Sequence, residues 1–182
     1  MTTSLDGYVA APGVSLEHPL GEDGLRLHDW LLGDSTAQEK EIASRTFANT
    51  GAFLLGRRMF DVGEEPWGDD GAFGRPCFVV THRPRPTLAK GPTTFTFVTD
   101  GIESALDQAR EAAGDADICV VGGADLARQY LRAGVVDELR LHLVPVILGG
   151  GTLLWDGLTR TELRTTQVVE TPQATHLTFR LR

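Results

Sequence analysis

Four short apolar runs mark the middle of the chain: Ala52 to Leu55, Cys77 to Thr81, Phe95 to Thr99 and Ile118 to Val121. Each is a short continuous apolar run, so each reads as a buried strand of a mostly parallel sheet. Helical patterns separate some of them. Ser35-Thr36-Ala37-Gln38 has the form of a capping box and opens a polar helix running toward Phe47. Ile102, Ala105, Leu106, Ala109 and Ala112 form an apolar stripe after Asp100, the expected cap, and end near Gly114. A third helix carries Leu126, Ala127, Tyr130 and Leu131 on one face and stops at Gly134. The C-terminal third changes period. Leu139, Leu141 and Leu143 alternate with Arg140, His142 and Val144, and Leu177, Phe179 and Leu181 alternate with Thr178 and Arg180. Alternation predicts strands with unlike faces, antiparallel and near a sheet edge. The pattern is that of an α/β protein with an antiparallel finish.

With 182 residues, 41% of them hydrophobic, the chain suits a single domain over 1–182 that needs no disulfide or metal to fold. Cys77 and Cys119 lie inside apolar runs and read as buried, inert thiols in a reducing compartment. No Lys or Arg precedes Arg26, and Pro145 breaks the longest apolar stretch, Leu143 to Leu148, so neither a secretory leader nor a membrane span is expected. The expected location is the cytoplasm. A formal net charge of −8 argues against a general nucleic-acid or anionic-membrane surface. Its distribution changes the picture: from Gly71 to Thr99 there are Arg75, Arg83, Arg85 and Lys90 and no acid, with Arg57 and Arg58 just upstream. That local cationic island suits a small anion.

Three turns follow strand ends, where open α/β sheets bind ligands. In Leu55-Gly56-Arg57-Arg58, Gly56 lets backbone approach a ligand and the arginines add charge. Alone, that turn reads better as a glycine turn with solvated arginines. In Val80-Thr81-His82-Arg83-Pro84-Arg85, a hydroxyl, an imidazole and two guanidiniums suit a phosphate monoester. In Val121-Gly122-Gly123-Ala124-Asp125-Leu126, two glycines join a buried strand to a helix N-terminus whose free amides suit a pyrophosphate. The five histidines show no metal-ligand spacing. Trp67 reads as a lid aromatic or as a loop tryptophan packed on the surface, and Trp155 as core or interface.

These turns, with Ser4-Leu5-Asp6-Gly7-Tyr8, Val136-Asp137-Glu138-Leu139 and Leu148-Gly149-Gly150-Gly151, resemble the dihydrofolate-reductase-like superfamily. Within it they are most similar to the reductase half of the riboflavin-biosynthesis deaminase/reductase and its stand-alone bacterial relatives. The resemblance implies a central mostly parallel sheet with helices on both faces and antiparallel C-terminal strands, binding NADPH. It implies that Gly56, Arg57 and Arg58 flank the cofactor phosphates and that Thr81, His82 and Arg83 meet the adenosine 2′-phosphate. Val121, Gly122, Gly123, Ala124, Asp125 and Leu126 would wrap the pyrophosphate, and the Gly122-Gly123 peptide would be cis. Asp6 would face the substrate and act as the catalytic polar group. Met59 replaces the phosphate-binding threonine usual in folate reductases, and Asp125 replaces a basic residue of some relatives.

The function expected is hydride transfer from NADPH to a small heterocyclic or carbonyl substrate by a homodimer; the rival is a non-catalytic or regulatory dinucleotide binder. The homodimer would form through apolar edge surface at Leu139 to Leu148 and the C-terminal strand. Dihydrofolate is expected to be a poor substrate. Matching back from Gly56 places Lys40 near the acid a folate reductase carries; a shift of one residue would put Glu39 or Glu41 there instead, but the run Gln38 to Arg45 reads more as a solvated face than as a pterin-pocket floor.

Overall fold

The computed structural model describes residues 1–181. In chain order the strands are β1 (Thr2–Ser4), β2 (Tyr8–Ala10), β3 (Thr50–Gly56), β4 (Pro76–Val80), β5 (Leu88–Lys90), β6 (Thr93–Val98), β7 (Asp117–Gly122), β8 (Glu138–Val144), β9 (Thr152–Leu153), β10 (Leu163–Glu170) and β11 (Thr175–Leu181). The helices are α1 (Asp29–Leu32), α2 (Ala37–Ala48), α3 (Arg57–Gly63), α4 (Ile102–Ala113) and α5 (Ala124–Arg132). Two compact units result, Thr46–Ala127 and the combination of Met1–Arg45 with Arg128–Arg182.

The first unit holds a five-stranded sheet in the order β5-β6-β4-β3-β7. The four apolar runs supply β3, β4, β6 and β7, all mutually parallel, and only the short edge strand β5 runs antiparallel, against β6. On one face Phe53, Leu55, Cys77, Val79 and Phe95 pack with Phe60 of α3, all fully buried. Ala52, Leu54 and Phe78, of opposite parity, are buried too. Burial on both faces is what turns these strands into unbroken apolar runs. Trp67 joins this core, its ring stacked on Phe95 at 5.9 Å and edge-on to Phe73 at 5.0 Å, so the packed loop tryptophan is the reading realised. The cap of α4 is Gly101 at φ 95° rather than Asp100, because the chain enters that helix through a positive φ that glycine adopts without cost.

The second unit holds a four-stranded sheet, β1-β8-β11-β10, and a ribbon of β2 with β9. The alternating segments form β8 and β11, which are antiparallel as expected but interior, since β1 covers β8 on its other side in parallel register. The outer strands are β1 and β10; no alternation announces β10, and seven of its eight residues are exposed. Of the apolar edge expected at Leu139 to Leu148, the part in β8 is paired on both sides, Ile147 beyond it is exposed, and Val168 and Leu163 add exposed aliphatic surface on β10. The capping box of α2 sits one residue later than the sequence suggests. Thr36 N–H donates to Glu39 Oε2 at 2.8 Å, and Glu39 N–H donates to Thr36 Oγ1 at 3.2 Å. Both families of elements make this a mixed α/β protein with a mostly parallel central sheet.

Candidate functional site

Because β4, β3 and β7 are adjacent and parallel, their carboxyl ends fall side by side on one sheet edge. Neighbouring strands lie about 4.8 Å apart, so all three candidate turns are in reach of one extended ligand. The β3 and β7 turns touch. A Cβ placed on Gly56 would stand 3.0 Å from the Gly123 nitrogen, so glycine at 56 is what lets these two backbones close. A Cβ on Gly123 would meet nothing within 4 Å, which leaves that stretch of backbone open to solvent at the start of α5. The Gly122-Gly123 peptide is cis, as the resemblance implied. Beyond it Ala124 and Leu126 are buried, anchoring the first turn of α5, while Asp125 is exposed. Val121 packs against the core beneath, and so does Met59.

Two acids offset part of the cationic island. Asp61 receives Arg57 Nε on one oxygen and Arg83 Nη2 on the other, both at 2.6 Å. Arg57 Nη1 also donates to the Arg83 carbonyl at 3.0 Å, tying the β3 and β4 turns together. Arg85 makes a two-point pair with Glu64 at 2.7 Å on each oxygen, and Lys90 donates to the Glu64 carbonyl. The Arg85 guanidinium beside Glu64 holds that carboxyl below its ordinary range, and the same pairing raises Arg85. The acids lie on and just after α3, outside the acid-free interval, which is why counting charge along the chain missed them. Thr81, nearly buried, accepts the Arg83 N–H at 3.0 Å, so its oxygen braces the loop. His82 and Arg58 are exposed.

Asp6 follows β1 in the other unit. Its oxygens accept the N–H of Leu148 at 3.1 Å and of Gly149 at 2.8 Å. A hydrogen bond from Ser4 is the main cause holding its carboxyl below the usual range; desolvation opposes it, and the Gly149 and Leu148 amides add to the lowering. Asp6 is therefore a fixed anion at neutral pH, not a proton donor. Behind it, a Cβ on Gly7 would lie 3.2 Å from the half-exposed Trp155 ring, and the Gly7 carbonyl accepts Leu154 N–H at 2.9 Å.

The run read as a solvated face contains a fully buried acid, Glu39. Besides Thr36 it accepts the Thr171 hydroxyl at 2.8 Å. Desolvation opposes its charge, and the hydrogen bonds from Thr36 and Thr171 outweigh it, so its carboxyl is held below the ordinary value. Thr171 also meets His176 Nε2 at 3.2 Å, and His176 Nδ1 meets His142 Nδ1 at 2.8 Å, both rings against Trp30. The signal for this cluster was the β8–β11 pairing, which sets His142 opposite His176.

The parallel sheet and its three aligned strand-end turns define a dihydrofolate-reductase-like α/β protein. The RibD C-terminal domain family matches residues 1–177, and the chain belongs to that family. It is similar to the uncharacterized protein YwjB of Bacillus subtilis (strain 168), at 27% identity over 98% of this chain and 94% of that one. Among solved structures, a protein assigned to riboflavin biosynthesis from Shewanella sp. PV-4 superposes with a TM-score of 0.71 at 18% identity, covering 99% of this chain and 95% of that one. A diaminohydroxyphosphoribosylaminopyrimidine deaminase/5-amino-6-(5-phosphoribosylamino)uracil reductase from Thermotoga maritima does so at 0.66 and 13% identity, with 99% of this chain matching 54% of that one. At these identities the two structures share the fold. No helix among the described residues is long and apolar enough to cross a membrane.

Proposed function

We propose that the protein is a reductase that takes a hydride from NADPH and delivers it to a small heterocyclic or carbonyl substrate. Family membership and the reductase named in the Thermotoga protein support a reductase. The observation that carries the cofactor is the alignment of the β4, β3 and β7 ends with open backbone at Gly123. A group with a pyrophosphate and an adenosine phosphate fits that edge. Gly122 to Leu126 would offer amides to the pyrophosphate with Gly56 beside them, and Arg57, Arg58, His82 and Arg83 would face the phosphates. Once bound, a reduced nicotinamide supplies the hydride; the protein positions it and excludes competing reactions. Asp6, kept ionised, would accept a hydrogen bond from a polar substrate group and fix its orientation. A homodimer is part of this proposal; exposed Val168 and Leu163 on the outer strand β10 support it.

NADPH fluorescence on mixing with the protein tests the reading. Binding with oxidation on addition of carbonyl, imine or pyrimidine substrates is the expected outcome. Absence of binding overturns the cofactor assignment, and binding without turnover on any of them favours a regulatory dinucleotide binder.

A further inference from the structure

We infer that Asp61 sets how strongly the site separates a dinucleotide bearing a 2′-phosphate from one bearing a free ribose 2′-hydroxyl; the inference rests on the cofactor reading above. The two guanidiniums best placed for a phosphate, Arg57 at the end of β3 and Arg83 after β4, are both committed to the two oxygens of this one carboxylate at 2.6 Å. Asp61 lies one helical turn beyond Arg57, so α3 carries an internal anion into the fork that a phosphate would otherwise occupy.

The charge arithmetic gives the consequence. Arg57 and Arg83 with Asp61 leave one net positive charge where two would face a dianion. A 2′-phosphate must draw Arg83 away from Asp61 or sit beside a like charge. Arg83 is free to move, since its side chain is 67% exposed, whereas Arg57 is 19% exposed and stacks over Phe97 at 5.5 Å. Thr81 does not make up the difference, because its hydroxyl already donates to the Arg83 carbonyl at 3.4 Å while its oxygen accepts the Arg83 amide. A ribose 2′-hydroxyl meets no such penalty. It is neutral and can donate to a carboxylate, the use a dinucleotide site makes of an acid at a ribose. Asp61 thus weakens the phosphorylated ligand, spares the unphosphorylated one, and narrows the gap between them.

The probes are adenosine 2′,5′-bisphosphate and 5′-AMP, with NADPH and NADH alongside, titrated calorimetrically against the wild type, Asp61→Asn and Asp61→Ala at fixed ionic strength. Losing a charge-competing contact changes an equilibrium by about tenfold. In both variants the bisphosphate and NADPH should tighten about tenfold, with 5′-AMP and NADH unchanged or slightly weaker. A preference that stays the same or falls shows that Asp61 holds the arginines in place for the phosphate, and overturns the inference while leaving the cofactor reading standing. If none of the four ligands binds any of the three proteins, both fall together. The readout is a ratio between ligands on one protein, so a general loss of folding cannot imitate the expected result.

Discussion

Two carboxylates, one in each unit, are held by hydrogen bonds to both oxygens, yet they play opposite parts. Glu39 is fully buried and takes neutral donors, the amide and hydroxyl of Thr36 and the hydroxyl of Thr171. Asp61 is 34% exposed and takes two guanidiniums, one of them mostly in solvent. In the first place an orphaned partner has no water to turn to, so the interaction belongs to the fold. In the second, water and salt screen the pair, so it holds the fold less tightly and suits the ligand exchange proposed for it.

The largest test acts on the buried side. His28 is pushed down to about 4 by burial, then by the Met1 ammonium, with Asp29 opposing. His142 is pushed down to about 2 by burial, then by the Met1 ammonium, His176, His28 and Arg140, and His176 is lowered by burial against the pull of Glu39. Below about pH 6.5 an unfolded chain takes up protons that these rings refuse, so stability falls as pH falls toward the folded values. His28 and His142 together should cost about 4 kcal/mol by pH 5. Glu39, Glu64 and Asp6 are lowered in the fold, and their contribution is lost only at more acid pH, as it falls through those depressed values. Urea midpoints at pH 7 and 5 check this; equal midpoints refute it, and His28→Gln should remove about half of the decline.

Next in size is Glu39→Gln. One of its two oxygens becomes an amide that cannot accept, so a buried donor from Thr36 or Thr171 is stranded, at about 2–3 kcal/mol including the weakened cap. Chemical denaturation at pH 7 measures it. A loss under about 0.5 kcal/mol would mean that α2 does not depend on this acid.

How these sites read from sequence follows from the same contrast. The parallel strands were legible because burial on both faces leaves unbroken apolar runs, and the three turns because glycines and arginines follow those runs directly. Glu39 was missed because a buried acid among Gln38, Lys40 and Glu41 has the same local pattern as a solvated one; its burial depends on Thr171, far away in the chain. Strand β10 was missed because an outer strand exposed along nearly its whole length shows no apolar period. Asp61 was not singled out, because its pairing with both Arg57 and Arg83 depends on β3 and β4 being neighbours, which no single segment states.

On the exposed side, Arg83→Ala should lower NADPH affinity about tenfold to a hundredfold, the loss of a charged hydrogen bond of about 1.5–3 kcal/mol, and barely move NADH. Its stability should change by no more than about 0.5 kcal/mol, because so much of the side chain is in solvent. Equal losses for both dinucleotides would show that Arg83 does not discriminate between them.

The smallest effect is the stability of Asp61→Asn, the same carboxylate-to-amide exchange as at Glu39. Arg83 loses a partner but, at 67% exposure, gains water in its place. Arg57 is more enclosed, yet it keeps its hydrogen bond to the Arg83 carbonyl and its place over Phe97, so no buried donor is stranded. An exposed ion pair is worth about 0–1 kcal/mol, and the asparagine oxygen can still accept from one guanidinium. The expected loss is therefore below about 1 kcal/mol, and it should shrink further in high salt as screening removes the Coulomb part. Denaturation of Asp61→Asn and Glu39→Gln side by side at two salt concentrations checks the pair. A salt-insensitive loss at Asp61 as large as that at Glu39 would show that Asp61 is part of what holds the β3 and β4 turns folded, and the division between a fold-bound and a ligand-exchangeable carboxylate would fail.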